Sequence, residues 1–579
     1  MSFEEQRRWT DIPNPTTLLS QTHLNKMKKS LWFATVFFLG MSAMAQEATF
    51  DYFKYEGKES RFNKTIDPRN QYFNPIVSGY YPDPSICRVG DTYYLVNSSF
   101  SYFPGVPIFK SNDLVNWQQI GHVLDRPSQV NLEGQDLNLG IYAPQISYNP
   151  KNKTYYMTTG DMGHGFFFYV KSKDPSKGWS EPIRMKHGGM DTSFFFDTNG
   201  KAYVVYNADP IEPAKYNMQK AIHMYEFDWK ADSIKDQLYE LSKGSTCIEN
   251  PIWIEGPHIF KRGDYYYLMA AESGTYYMHS EVIFRSKNPT GPYEECPHNP
   301  ILTQRDLGMN NRPEAVSSTG HASMLEAPDG QWWAAFLGCR PYEHDSYNTG
   351  RETFLLPVTW KDGWPTILEH GKAVPTVVNK PGLKPVENNY VTGNFSFTDR
   401  FDTEKLDYRW IFLRNPHMEN YDWTGKGISL KAQPVSIYEW ASPTAVFYRQ
   451  KHMTFSAETV VNFEPKQDNE LAGLVVFQND KHNFVLGKTL LYGQPVITLT
   501  RAEKEQKLDI AMVKLNAADA HQPIRMKVEG DGRWYSFYYA VGNGEWQTLT
   551  QGADAVNLSS VTAGGFVGTT IGLYATSKK

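Results

Sequence analysis

Apolar and polar positions alternate along this chain in short runs, and one phrase of that alternation keeps returning. Its clearest copy is Ile254-Glu255-Gly256-Pro257-His258-Ile259-Phe260-Lys261-Arg262-Gly263-Asp264-Tyr265-Tyr266-Tyr267-Leu268-Met269. An acidic residue, an apolar run, a polar turn and a second aromatic run predict a β-hairpin with a carboxylate at its mouth. The phrase also begins at Asp83, Ala143, Asp191 and His321, which makes five copies with the one at Glu255. Several copies are followed by another hairpin-like phrase, as at Phe109–Trp117, Val170–Pro175 and Phe284–Pro289. Two hairpins per unit give four antiparallel strands, and repeated four-stranded units predict a five-bladed β-propeller.

The rhythm changes after a polar, proline-rich stretch. Residues 70–377 are read as the propeller, 378–389 as a linker and 390–579 as a second domain. There, Leu474-Val475-Val476-Phe477, Val496-Ile497-Thr498-Leu499 and Trp534–Tyr539 are strand-like runs, and Asn543-Gly544 is a hairpin turn. No convincing helical period appears, so the whole is read as all-β, a propeller followed by a β-sandwich.

Composition narrows the class. Aromatic residues make up 15 % of the chain, which suits strands and sugar-facing surfaces, and the net charge is only −5. That balance gives no basic footprint for nucleic acid. The four cysteines match no zinc spacing and are assigned no essential role. Near the start, Met27-Lys28-Lys29, the apolar run Ser30–Gly40 and Ala43-Met44-Ala45 form the three parts of a secretory signal peptide over 27–45. Residues 1–26 are read as a mis-assigned start or a disordered extension. An exported protein, periplasmic or secreted, with no membrane span in its mature form, is the expectation.

The chemistry lies in the repeat. If the first residue of each copy opens the innermost strand of its blade, Asp83, Ala143, Asp191, Glu255 and His321 ring one end of the channel. Clustered carboxyls repel one another, and at least one is pushed toward its protonated form. Glycoside hydrolysis needs two carboxyl groups of that kind, one giving a proton and one activating water or attacking the sugar. Asp197-Thr198-Asn199-Gly200 looks like the opening of a calcium loop, but the distal ligands are absent and it is read as a hairpin turn.

Five motifs together carry a resemblance: Tyr80-Tyr81-Pro82-Asp83-Pro84-Ser85, Ser98–Val106, Ile254-Glu255-Gly256-Pro257-His258, Gly320-His321-Ala322 and Gly350-Arg351-Glu352-Thr353-Phe354. In this order they resemble glycoside hydrolase family 43, in its branch of β-xylosidases and α-L-arabinofuranosidases with a C-terminal, concanavalin-like sandwich. The resemblance implies an exo-acting, inverting hydrolase that releases terminal β-D-xylose or α-L-arabinofuranose from plant cell-wall oligosaccharides. It implies Asp83 as general base, Glu255 as general acid and Asp191 as the acid that orients Glu255 and keeps it protonated. Arg340 matches an arginine that binds sugar hydroxyls beside the acids, and Tyr102 and Phe103 match aromatics around the terminal sugar. His321 matches a residue that in parts of the family touches a central metal, so calcium is possible there although none is required. Arg351 is read as a tie within the last blade. Tyr142 and Thr192 depart from the family pattern, which often has Trp and Pro there, and leave the preferred sugar open. Two alternatives stand beside this reading: a retaining fructosidase-type propeller and a carbohydrate-binding propeller without turnover.

Overall fold

The computed structural model describes residues 46–308, 312–387, 390–423 and 425–579. The signal-peptide reading and the end of the linker reading fall outside them. Strands account for nearly all regular structure, and five antiparallel sheets follow one another along the chain. Their innermost strands are Ser85–Val89, Ile141–Asn149, Met190–Phe196, Glu255–Arg262 and Ser317–Glu326, which define blades I to V of a five-bladed propeller. Inside the blades, strands such as Thr154–Asp161 and Trp332–Cys339 are buried along their whole length, because neighbouring blades cover both faces. That is why they read as apolar and aromatic runs.

Serine side chains staple the blades. Ile86 N–H donates to Ser323 Oγ at 3.1 Å, joining blade V to blade I, and Ile146 N–H donates to Ser85 Oγ at 3.0 Å, joining I to II. Ser193 Oγ donates to Pro257 O at 2.6 Å, joining III to IV. Each such bond is worth about 1 kcal/mol net, and losing one partner leaves a buried group unsatisfied.

The C-terminal domain is a concanavalin-like sandwich of two eight-stranded sheets. In one, Thr454–Asn462 and Ile524–Asp531 alternate buried and half-exposed residues, as expected for a sheet with one wet face. In the other, Leu471–Asn479 is buried throughout. Ala472, Leu474 and Val476 face the sandwich core, whereas Leu471, Val475 and Phe477 join a second cluster containing Tyr80, Phe100, Tyr102 and Phe447. The seam between propeller and sandwich is therefore itself a hydrophobic core. Each large side chain buried there stabilises the seam by about 1.5–3 kcal/mol.

Two strands cross the domain boundary. Glu47–Gly57, which precedes the propeller, lies inside one sandwich sheet between Ile428–Lys431 and Thr454–Asn462. Tyr102–Phe103 leaves blade I to pair with Trp410–Leu413 of the other sheet. The stretch read as a linker begins inside the strand Val377–Asn379, which pairs with Gln71–Phe73. Asp197–Gly200 is a hairpin turn, with Asp197 N–H bonded to Lys201 O at 2.9 Å.

Candidate active site

The inner strands of blades II to V open on a bulge, and the backbone turns in the same way just before that of blade I. The residue at each of these turns has a left-handed backbone: φ is 53° at Asp83, 32° at Ala143, 55° at Asp191, 58° at Gly256 and 50° at His321. In blades II to V the register skips two residues there, between Tyr142 and Gln145, Met190 and Ser193, Glu255 and His258, and Gly320 and Ser323. A non-glycine residue in this conformation costs about 1–3 kcal/mol, and such strain concentrates where geometry serves a site.

The pattern corrects one detail of the repeat. In blade IV the left-handed position is Gly256, so Glu255 stands one residue earlier, level with Tyr142 and Met190. The glycine has a local reason. A Cβ on Gly256 would lie 3.1 Å from the His321 ring, and its N–H donates to Asp191 Oδ2 at 3.0 Å.

Asp83, Asp191, Glu255 and His321 are all buried and meet at the channel mouth. Asp191, Glu255 and His321 each bring a polar atom within 4.8 Å of the others. His321 Nδ1 stands 3.8 Å from Asp83 Oδ1. Ser98 Oγ donates to Asp83 Oδ2 at 2.6 Å while accepting Ala143 N–H at 2.6 Å, which locks the carboxylate against blade II. Arg351 Nη1 reaches Asp83 Oδ1 at 3.4 Å.

These surroundings split the acids. Burial alone would push Asp83 up, but Arg351, His321 and the Ser98 hydroxyl outweigh it and hold the carboxyl below its ordinary range. Glu255 is pushed well above that range, by burial first and then by the charges of Asp191 and Asp83. Asp191 is raised more modestly, by burial and Asp83 working against His321 and the Gly256 N–H. One carboxylate poised to accept a proton thus faces one carboxyl poised to give it.

Three expected residues are not beside the acids. Arg340 is buried at the domain seam, where its Nε donates to Glu352 at 2.5 Å and its Nη1 to Glu59 at 2.5 Å. The reason is strand alternation: Arg351 and Glu352 are consecutive and point to opposite faces, so Arg351 meets the acids and Glu352 meets Arg340. Arg351 therefore takes the place the resemblance gave to Arg340. Tyr102 and Phe103 are committed to the seam strand, with Tyr102 Oη 3.2 Å from Thr570 Oγ1. The aromatic groups near the acids are instead Trp253, whose side chain hydrogen-bonds Glu255, and Phe100, Tyr142 and Phe566 on the side of Asp83 and Arg351. Phe100 lies edge-on to Tyr142 with centroids 5.0 Å apart and stacks on Phe566 at 6.0 Å. Phe566 comes from the sandwich, and the Arg351 guanidinium sits 5.1 Å from its ring centre. No local sequence signal marks Phe566, whereas Ser98 opens one of the five motifs but is assigned no role of its own there.

The trio of Asp191, Glu255 and His321 fits calcium poorly. That ion takes about six to eight oxygen ligands, whereas this set offers one imidazole and two carboxyls, of which Glu255 is pushed toward its protonated form.

Comparison with known proteins gives a family for both parts of the chain. The model of glycosyl hydrolases family 43 covers residues 72–365, and that of the β-xylosidase C-terminal concanavalin A-like domain covers 398–579. The chain belongs to glycosyl hydrolase family 43. It is 36 % identical to a non-reducing end α-L-arabinofuranosidase of Bacteroides ovatus, over 87 % of this chain and 90 % of that one. It is 35 % identical to a xylosidase/arabinosidase of Butyrivibrio fibrisolvens, over 87 % of this chain and 95 % of that one. The crystal structure of a GH43_12 protein from a capybara gut metagenome superposes with a TM-score of 0.84 at 38 % identity, covering 92 % of this chain and all of that one. This family-43 protein is accordingly an enzyme, a glycosidase acting on O-glycosyl bonds. Neither the retaining fructosidase reading nor the non-catalytic one is favoured by these relatives.

Proposed function

We propose that this enzyme is an exo-acting, inverting glycosidase that removes terminal β-D-xylose or α-L-arabinofuranose from plant cell-wall oligosaccharides. The observation that carries the reading is the split between Asp83, held charged by Arg351 and Ser98, and Glu255, held protonated by burial and Asp191. In one displacement, water attacks the anomeric carbon and gives its proton to Asp83. The bond to the leaving oxygen breaks as that oxygen takes the proton of Glu255, and the anomeric configuration inverts. Asp191 acts through Glu255: it accepts the Gly256 N–H and its charge opposes ionisation next door. The scheme draws on water and side chains alone and requires no cofactor.

The sandwich supports action at chain ends. Phe566 packs on Phe100 and Tyr142, and its N–H donates to Asn138 Oδ1 at 2.9 Å, so a loop from the second domain crowds the pocket beside Asp83. Export is part of the proposal, resting on the signal-like sequence before Gln46; among the described residues no helix is long and apolar enough to cross a membrane.

The test is hydrolysis of 4-nitrophenyl β-D-xyloside and 4-nitrophenyl α-L-arabinofuranoside, followed by NMR of the first-released anomer. Release of the inverted sugar from either substrate is expected. Release with retained configuration, or turnover of neither substrate, would overturn the reading.

A further inference from the structure

A buried polar run, Arg449-Gln450-Lys451-His452, crosses the seam between sandwich and propeller. Alternation along it sends Gln450 and His452 to one side and Arg449 and Lys451 to the other. The first pair is satisfied. Gln450 Nε2 donates to His452 O at 3.0 Å and its Oε1 accepts from Tyr535 Oη at 2.7 Å, while the His452 ring meets Tyr55 Oη at 3.0 Å and Gly393 O at 2.8 Å. In the second pair, Arg449 is not. Among the described residues, Nε, Nη1 and Nη2 of Arg449 are buried without a single acceptor, although the side chain is only 1 % exposed.

Other buried arginines of this chain show how unusual that is. Arg340 donates from all three nitrogens, to Glu352, Glu59 and Lys451 O, and Arg414 donates to Gln135 O, Glu439 O and Ala441 O. Arg449 has only ring faces, with its guanidinium carbon 4.5 Å from the centre of Tyr81 and 5.1 Å from that of Tyr80. Lys451 Nζ stands 4.9 Å from the same Tyr81 ring. The acids whose charges reach Lys451 are engaged elsewhere, Asp407 with Arg409 at 2.9 Å and Glu352 with Arg340 at 2.5 Å. Two cations enclosed together, with no acceptor on Arg449 and both neighbouring acids bound to other arginines, strain the rule that buried charges are paired.

We propose that Arg449 and Lys451 form a buried site for a small monovalent inorganic anion, of the size and charge of chloride, at the seam between the two domains. The anion supplies the acceptors that Arg449 lacks and offsets the second positive charge. Without it, burial and the charges of Arg449 and Arg409 depress Lys451 to about 7. The enclosure selects for size, since Lys451 is 3 % exposed and no organic anion enters without parting the domains. The site also adjoins the catalytic strand. Tyr80 and Tyr81 run through Pro82 into Asp83, and Tyr81 N–H donates to Arg351 O at 3.0 Å.

Thermal unfolding of the full chain is the test, at constant ionic strength with chloride replaced stepwise by gluconate. The wild type should gain on the order of 1–2 °C per tenfold rise in chloride, and Arg449→Met should show no such gain. Crystals of the wild type grown in bromide should show an anomalous peak within hydrogen-bonding reach of the Arg449 guanidinium. Equal melting in the two salts, an equal chloride response in the variant, or only water at the guanidinium in the bromide crystals would overturn the proposal. Should Arg449→Met fail to fold, Lys451→Met gives the same comparison, and the bromide map needs no variant.

Discussion

Two buried charge clusters of this enzyme, both anchored on consecutive residues of one blade V strand, are built on opposite principles. At the seam, Arg340 and Arg61 face Glu59 and Glu352, two cations with two anions, and the contacts lie between 2.5 and 2.9 Å. Glu59 is held below its ordinary range there, because Arg340 and Arg61 outweigh the cost of burial. At the channel mouth, Asp83, Asp191 and Glu255 share one arginine among the described residues, Arg351. A balanced cluster settles into one protonation state and holds domains together. An unbalanced one keeps a proton on the wrong acid, and that proton is available for chemistry.

The strongest way to break the contrast is to remove each acid of the pocket. Glu255→Gln should lower kcat by about 10²–10⁴-fold on substrates with poor leaving groups and be partly rescued by a nitrophenyl leaving group. Asp83→Asn should lose as much without rescue, and the opposite pattern in steady-state kinetics would exchange the two roles. Arg340→Met strikes the balanced cluster instead. Leaving Glu59 and Glu352 buried without their arginine should cost about 3–5 kcal/mol in denaturant unfolding, with KM nearly unchanged in the folded fraction. A smaller effect is expected of Phe566→Ala, which removes the ring against Arg351: kcat/KM should fall about 2–30-fold, and global stability should suffer less than in Arg340→Met.

The pH profile sharpens the comparison further. Activity needs Asp83 charged and Glu255 protonated, so kcat/KM should be bell-shaped, with an acid limb from Asp83 and an alkaline limb from Glu255. Asp191→Asn removes a charge that raises Glu255, and the alkaline limb should move to lower pH. Arg351→Met removes a charge that lowers both groups, so both limbs should move to higher pH. Stability follows the same sign. The folded state binds the Glu255 proton more tightly than the unfolded chain does. Its contribution is therefore full below the ordinary glutamate range and is lost as pH rises through the raised value. Glu255→Gln should consequently outlast the wild type in alkaline unfolding, although it is nearly inactive.

Much of this was legible in the amino-acid order, because the propeller repeats itself. Five copies of one phrase gave the blades, and the turn and apolar signals around Asp83, Asp191 and Glu255 brought those acids to one place. The repeat did not show that Glu255 precedes its left-handed glycine, since a bulge shifts register without changing the apolar pattern. Nor could it separate Arg340 from Arg351. The two lie at facing ends of paired strands, and which one turns inward depends on a parity that the intervening loop hides. Tyr102 and Phe103 resemble pocket aromatics by their place in the family motif, but the ring of that motif that packs beside the pocket is Phe100, two and three residues earlier. The left-handed φ of 49° at Phe100 separates it from the strand that the sandwich captures. Phe566 and the N-terminal strand Glu47–Gly57 belong to contacts across most of the chain's length, for which a local pattern carries no signal. The unbroken burial of Leu471–Asn479 was a hint of that kind: a strand apolar on both faces needs a second covering, and here the propeller supplies it.

The central claim is that Glu255 keeps its proton while Asp83 does not, and infrared difference spectroscopy reads this without turnover. Apart from the amide bands that the new side chains add, the spectrum of the wild type minus Glu255→Gln at neutral pH should contain the carbonyl stretch of a protonated carboxyl, and that of the wild type minus Asp83→Asn should contain carboxylate bands and no lost protonated-carboxyl stretch. A carboxylate band in the first difference, or a protonated carboxyl in the second, would contradict the account.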